Sequence, residues 1–162
     1  MTQEELTIKR DRMRFTKDKT SANLVVMAII FDCLYFVSIY SSDVGSYYYT
    51  WTIGASIVYN LLFLLTAFLA SEGVKNRKTG YTGMLIGIGI MLIVRIFYLP
   101  AKAHAAVVVV SGAEIPAMGD GQYFYVIACL AVSAVCCLVA AVTSHTNNKN
   151  LAEHMRSIQN AA

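Results

Sequence analysis

Charge is what this sequence has least of. Acidic and basic residues fill 14% of its 162 positions against 57% hydrophobic residues, whereas a soluble domain carries about 25% charge. That balance excludes an ordinary soluble domain, and the length leaves no room for a separate one. The four cysteines, Cys33, Cys129, Cys136 and Cys137, form no C-x-x-C pair, and adjacent cysteines are badly placed to bridge one another, so they read as small apolar packing residues rather than redox groups. No G-x-S-x-G surrounds a serine; His104, Ser111 and Asp120 share one loop without the scaffold that a triad needs. His145, Glu153 and His154 lack the spacing of metal ligands, and no two histidines sit at matched depth in apolar segments, which argues against a transmembrane haem. No N-x-S/T acceptor occurs, in keeping with a bacterial inner membrane. The expectation is a protein with no enzymatic activity, cofactor or metal, and no nucleic-acid partner.

What the chain does have is four long apolar runs, at about 22–40, 51–70, 81–99 and 123–143. Each is close to the ~20 residues that cross a bilayer as a helix. The expected fold is all-α: a polytopic membrane protein of four transmembrane helices arranged as two helical hairpins. Its parts are a basic segment over 1–20, a membrane domain over 21–143, and a tail over 144–162 carrying a short amphipathic helix. The first run follows some twenty polar residues and has no small-residue cleavage site directly after Tyr40, so it is expected to stay as a span rather than act as a cleaved signal. Lys9, Arg10, Arg12, Arg14, Lys17 and Lys19 precede the first run, Lys75, Arg77 and Lys78 lie between the second and third, and Lys149 and Arg156 follow the fourth. Only Lys102 falls in the other loops, so the positive-inside rule puts both termini in the cytoplasm.

The run Ala22–Tyr40 holds one carboxylate, Asp32, near its midpoint. A central Asp costs roughly 2.5–3.5 kcal/mol on an insertion scale, and the ten Leu, Ile, Phe and Val around it return roughly 3–6 kcal/mol. The helix inserts with little to spare, and Asp32 should face protein or water. Asn60 reaches about the same depth on the second run, where an Asn–Asp contact would orient the pair more than hold it, at about 0.6 kcal/mol. Arg95 lies about 6 Å higher than Asp32 by helical rise; it either snorkels outward or bends inward to close that gap. Asp32 and Arg95 each precede a tyrosine by three residues, Tyr35 and Tyr98, an echo that makes both tyrosines candidate members of the same site.

Gly80, Gly83 and Gly87 open the third run, and Gly83-x-x-x-Gly87 is a small-xxx-small pair suited to close approach of another helix. Ala134 and Ala141, among the small residues of the fourth run, offer the matching surface. Pro100 is expected to close the third helix. Beyond it, Ala105–Val110 is too short to span and reads as an interfacial helix, a re-entrant piece or a strand that another chain augments. The residues MTQEELTIKRDRMRFTKDKT suit a basic helix lying on anionic lipid headgroups, and Tyr47, Tyr48, Tyr49 and Trp51 suit an interfacial aromatic belt. So short a chain lacks a complete transport site. It fits best as an accessory subunit of a transporter or similar complex, partnered by other membrane subunits or by copies of itself. The alternative is a small homo-oligomeric proton- or cation-coupled carrier with Asp32 as the coupling carboxylate.

Overall fold

The structure, a computed structural model, describes residues 3–5, 17–40, 50–105, 107–110, 113–116 and 118–161. Its elements are α1 (Lys19–Tyr40), α2 (Thr50–Lys75), α3 (Gly80–Ala105), β1 (Val107–Val110), β2 (Ala113–Pro116) and α4 (Asp120–Ala161). All four helices are long and apolar enough to cross a membrane. The basic segment over 6–16 and the tyrosines at 47–49 lie outside the described residues, as does the Trp51 side chain. The helices form a ring in which α4 packs broadly on α1 and α3, while α2 is held more lightly between α1 and α3. One end of the ring carries the α2–α3 turn and the other the β1–β2 hairpin.

The inward faces follow a common spacing. Val25, Ala28, Asp32, Tyr35 and Ile39 are buried on α1; Asn60, Phe63, Ala67, Ala70 and Val74 on α2; Leu85, Ile88, Leu92 and Arg95 on α3; Val126, Leu130, Ser133, Cys137, Ala140 and Ser144 on α4. Steps of three and four alternate in each helix, the seam spacing of coiled coils. The outward faces are as apolar as the seams, with Val37, Leu61, Phe68, Phe97 and Val142 all exposed, as suits a bundle surrounded by hydrocarbon.

At the turn end, side chains fasten α1, α2 and α4 together. Asp18 caps α1, its carboxylate accepting from the Ser21 amide at 3.1 Å, the Ser21 hydroxyl at 2.7 Å and the Asn147 amide at 3.0 Å. Burial alone would raise its pKa, but the bonds from Asn147 and Ser21, helped by the charge of Arg77, outweigh it and hold the carboxyl below 3.8. The Asp18 amide donates to the Lys75 carbonyl at 3.0 Å, and the Ser71 hydroxyl to the Ala22 carbonyl at 3.2 Å. Helix α2 ends with Lys78 N bonded to the Gly73 carbonyl and Arg77 N to the Val74 carbonyl, the bonding of a Schellman stop. That stop needs a left-handed residue, usually glycine; here Arg77 takes it, at φ 56°, a conformation that costs a side-chain-bearing residue about 1–2 kcal/mol. Its guanidinium is fixed by donating to the Asn147 carbonyl at 2.8 Å.

Several expectations need correction. Helix α3 does not stop at Pro100, which lies inside it and is followed by another turn. Proline costs the helix one backbone bond, but the residues beyond it are anchored: Ala103 is buried and His104 Nε2 meets Asp120 Oδ1 at 2.9 Å. The tail is no separate short helix, because α4 runs unbroken from Asp120 to Ala161. After α3 the described residues 107–110 and 113–116 are strands: β1 and β2 pair antiparallel, Val107 opposite Pro116 and Val110 opposite Ala113, so β1 takes its partner strand from its own chain.

The glycine surface on α3 is also on a different face from the one expected. A Cβ built on Gly80, Gly83 or Gly87 would meet nothing within 4 Å. The glycine that admits a neighbour is Gly89, where an added Cβ would come within 2.8 Å of Leu138 Cδ2 and 3.6 Å of the Ala134 carbonyl. Gly89 follows the seam residue Ile88, whereas Gly83 and Gly87 point out of the ring. Ala134 and Ala141 are buried on α4, as packing residues should be. Gly89→Leu should destabilise the bundle by about 1–3 kcal/mol through overpacking against Leu138, while Gly87→Ala leaves the melting temperature unchanged or slightly higher. Equal losses in the two variants on thermal unfolding in detergent would contradict this assignment of faces.

Candidate functional site: a charged cluster inside the bundle

Three seams bring their most polar residues to one level. Asp32 lies thirteen residues into α1, Arg95 fifteen into α3 and Asn60 fifteen before the end of α2; at 1.5 Å per residue they stand about 20–23 Å from the turn end. The offset between Asp32 and Arg95 is therefore about 3 Å rather than 6 Å, chiefly because the Asp18 cap starts α1 at Lys19. Arg95 bends inward. Helices α1 and α3 stand on a diagonal of the ring, and the long arginine side chain is what spans it.

The guanidinium is enclosed on several sides. Arg95 Nη1 lies 3.5 Å from Asp32 Oδ1, and Nη2 donates to Asn60 Oδ1. Its carbon sits 4.4 Å from the centre of the Tyr35 ring and 5.3 Å from that of Tyr59, two cation–π contacts that gain strength where water is excluded. Asp32 is 0% exposed, Asn60 1% and Arg95 5%. Asn60 and Asp32 are thus joined through the arginine and not by a direct bond. Because arginine only donates, the Asn60 amide must turn its oxygen toward it, which leaves Nδ2 on the other side. Among the described residues Asn60 Nδ2, Arg95 Nε and Asp32 Oδ2 are buried without a hydrogen-bond partner.

Of the tyrosines expected here, Tyr35 joins the cluster and Tyr98 does not. Tyr98 is exposed, and Lys102 one turn further on donates to its hydroxyl at 3.0 Å. The residue that sequence reasoning missed is Tyr59. Its signal was its position next to Asn60, at the level of Arg95. Of the triad types, His104 pairs with Asp120 and lies against the Tyr123 ring, 4.4 Å between centres, while Ser111 is outside the described residues. No group of three His, Cys, Asp or Glu suited to a metal occurs among the described residues.

A lone charge left in such a place is costly. An unpaired Arg or Asp at the centre of a span costs about 2.5–3.5 kcal/mol on the insertion scale, and breaking a buried pair costs about 3–5 kcal/mol because the survivor stays behind uncompensated. Asp32→Leu and Arg95→Met are each expected to lose stability of that order, and the double variant should recover most of it. Chemical denaturation in mixed micelles measures this, and losses that simply add would show that the two groups are not coupled. Comparison with known proteins finds no matching protein family, no similar curated protein and no similar solved structure, so function has to be read from this geometry.

Proposed function

We propose that the protein is a non-enzymatic subunit of a larger membrane assembly, held in a bacterial inner membrane with both termini in the cytoplasm. The observation that carries the proposal is that the charged cluster is closed. The charges of Asp32 and Arg95 are paired with one another inside the ring, out of reach of solvent, which supports a lock that fixes α1, α2 and α3 rather than a path for ions. What remains to meet a partner is the apolar outside of the ring, the β1–β2 hairpin and the end of α4. After Ser144, α4 continues for seventeen residues, an arm of about 25 Å with His145, Lys149, Glu153 and Arg156 exposed. Lys19, Lys75, Arg77, Lys78 and Lys149 stand toward the turn end and Lys102 toward the hairpin end, the asymmetry that supports a cytoplasmic turn end.

The carrier reading is weaker on this geometry. A coupling carboxylate must take up and release a proton or cation, but the charge of Asp32 is already matched by Arg95. Solubilised gently from its native membrane, the protein should migrate well above its own 17.8 kDa after the detergent is accounted for, with other polypeptides or further copies in fixed ratio. A single copy alone at every detergent concentration would overturn the proposal.

A further inference from the structure

The turn end gathers exposed cations around one joint. The Asp18 amide donates to the Lys75 carbonyl and the Ser71 hydroxyl to the Ala22 carbonyl, so the start of α1 lies against the end of α2. Lys17 and Lys19 flank the first of these contacts, and Lys78 follows in the stop of α2, where its amide bonds to the Gly73 carbonyl. All three lysines are exposed, and none of their ammonium groups is bonded to another described residue. The acids of the same joint are already taken. Asp18 is buried, and its carboxylate accepts from Ser21 and Asn147; Glu72 is paired with Lys75 at 2.7 Å.

Depth places this joint among headgroups. Toward the hairpin end Phe97 and Tyr98 of α3 and Phe124 and Tyr125 of α4 are all exposed, the aromatic girdle that marks a membrane interface. Phe97 follows Gly80 by seventeen residues, about 25 Å of helix, close to the ~30 Å of a hydrocarbon core. With the girdle at one interface, the lysines stand at the other. We infer that the outer face of the α1–α2 joint holds the headgroup of an anionic phospholipid, its phosphate oxygens accepting from the ammonium groups of Lys17, Lys19 and Lys78.

Charge and the neighbouring surface select this occupant. Free cations beside acids that are already bonded favour a head of net negative charge. The ammonium of a zwitterionic lipid would find no free carboxylate at the joint, since Asp18 and Glu72 are both engaged. Beyond the lysines the outer faces turn to exposed hydrocarbon, Val26 and Ile30 on α1 and Leu65 and Phe68 on α2. A ligand with acyl chains gains contacts there that a soluble phosphate does not. The inference needs only that the helices span a membrane, and it stands or falls separately from the assembly proposed above.

The test titrates the full chain in mild detergent with phosphatidylglycerol or with phosphatidylethanolamine of identical acyl chains, and native mass spectrometry counts the lipids retained. Phosphatidylglycerol should bind several-fold more tightly. Lys19→Gln combined with Lys78→Gln should weaken it roughly 25-fold, about fivefold for each lysine at a charged surface. Lys102→Gln, at the hairpin end, should leave it unchanged, and Glu72→Gln should strengthen it by releasing Lys75. All these side chains are exposed or half-buried, and unchanged melting temperatures verify that the variants fold. Equal retention of the two lipids, undiminished affinity in the double lysine variant, an equal loss in Lys102→Gln, or full displacement by soluble glycerol phosphate would each overturn the inference.

Discussion

A guanidinium cannot remain in hydrocarbon without something to compensate it, and where Arg95 goes decides how three of the four helices meet. Its route to headgroups would be outward along its own helix. Instead it crosses the ring toward Asp32, takes Asn60 on the way and lies against Tyr35 and Tyr59. Those four residues come from α1 and α2, so one side chain of α3 fixes the rotation of both of those helices. Apolar helix faces alone would not do this, because lipid is as good a neighbour for leucine as another helix is.

The remaining joints divide the labour. Near the middle of the bundle α4 packs against α1 and α3 through small residues, with the Ser133 hydroxyl bonded to the Ala28 carbonyl at 2.9 Å and Gly89 set against Leu138. At the turn end Asp18, Ser21, Arg77 and Asn147 fasten three segments in one network, and Thr82 meets Ser144 at 3.2 Å. At the other end Gln122 donates to the Ser38 carbonyl at 2.8 Å. Helix α2 has fewer such fastenings, so the charged cluster matters most for its position.

Much of this was written in the sequence, though not all in the same script. The four spans could be read from apolar length alone. The inward faces could not be read from apolar contrast, since residues facing lipid and residues facing protein are equally apolar; they are marked by the polar and small residues that recur at steps of three and four, such as Ala28, Asp32 and Tyr35. Reading Gly83-x-x-x-Gly87 as a packing face failed because the motif is regular but lies off the seam that Leu85, Ile88, Leu92 and Arg95 define. Pro100 looked like a stop because its own missing bond is visible in sequence, while the contacts of Ala103 and His104 beyond it are not. The length of α4 did have a signal: no glycine or proline follows Thr143 to end the helix. That Arg95 turns inward was open on sequence grounds, since snorkelling and pairing ask the same of the residue and differ only in which neighbours are within reach.

The cluster makes the bundle a preformed body with an apolar outside, a hairpin at one end and a helical arm at the other. All of that depends on the arginine and the aspartate being in contact within the membrane. The most direct measurement is solid-state NMR of the protein in lipid bilayers, recoupling the labelled guanidinium nitrogens of Arg95 with the carboxyl carbon of Asp32. The 3.5 Å contact predicts strong dipolar dephasing between the two, lost in Asp32→Asn only at the aspartate carbon's own resonance. Absence of dephasing in the native protein, with the arginine signal instead correlating to lipid phosphate, would contradict the account.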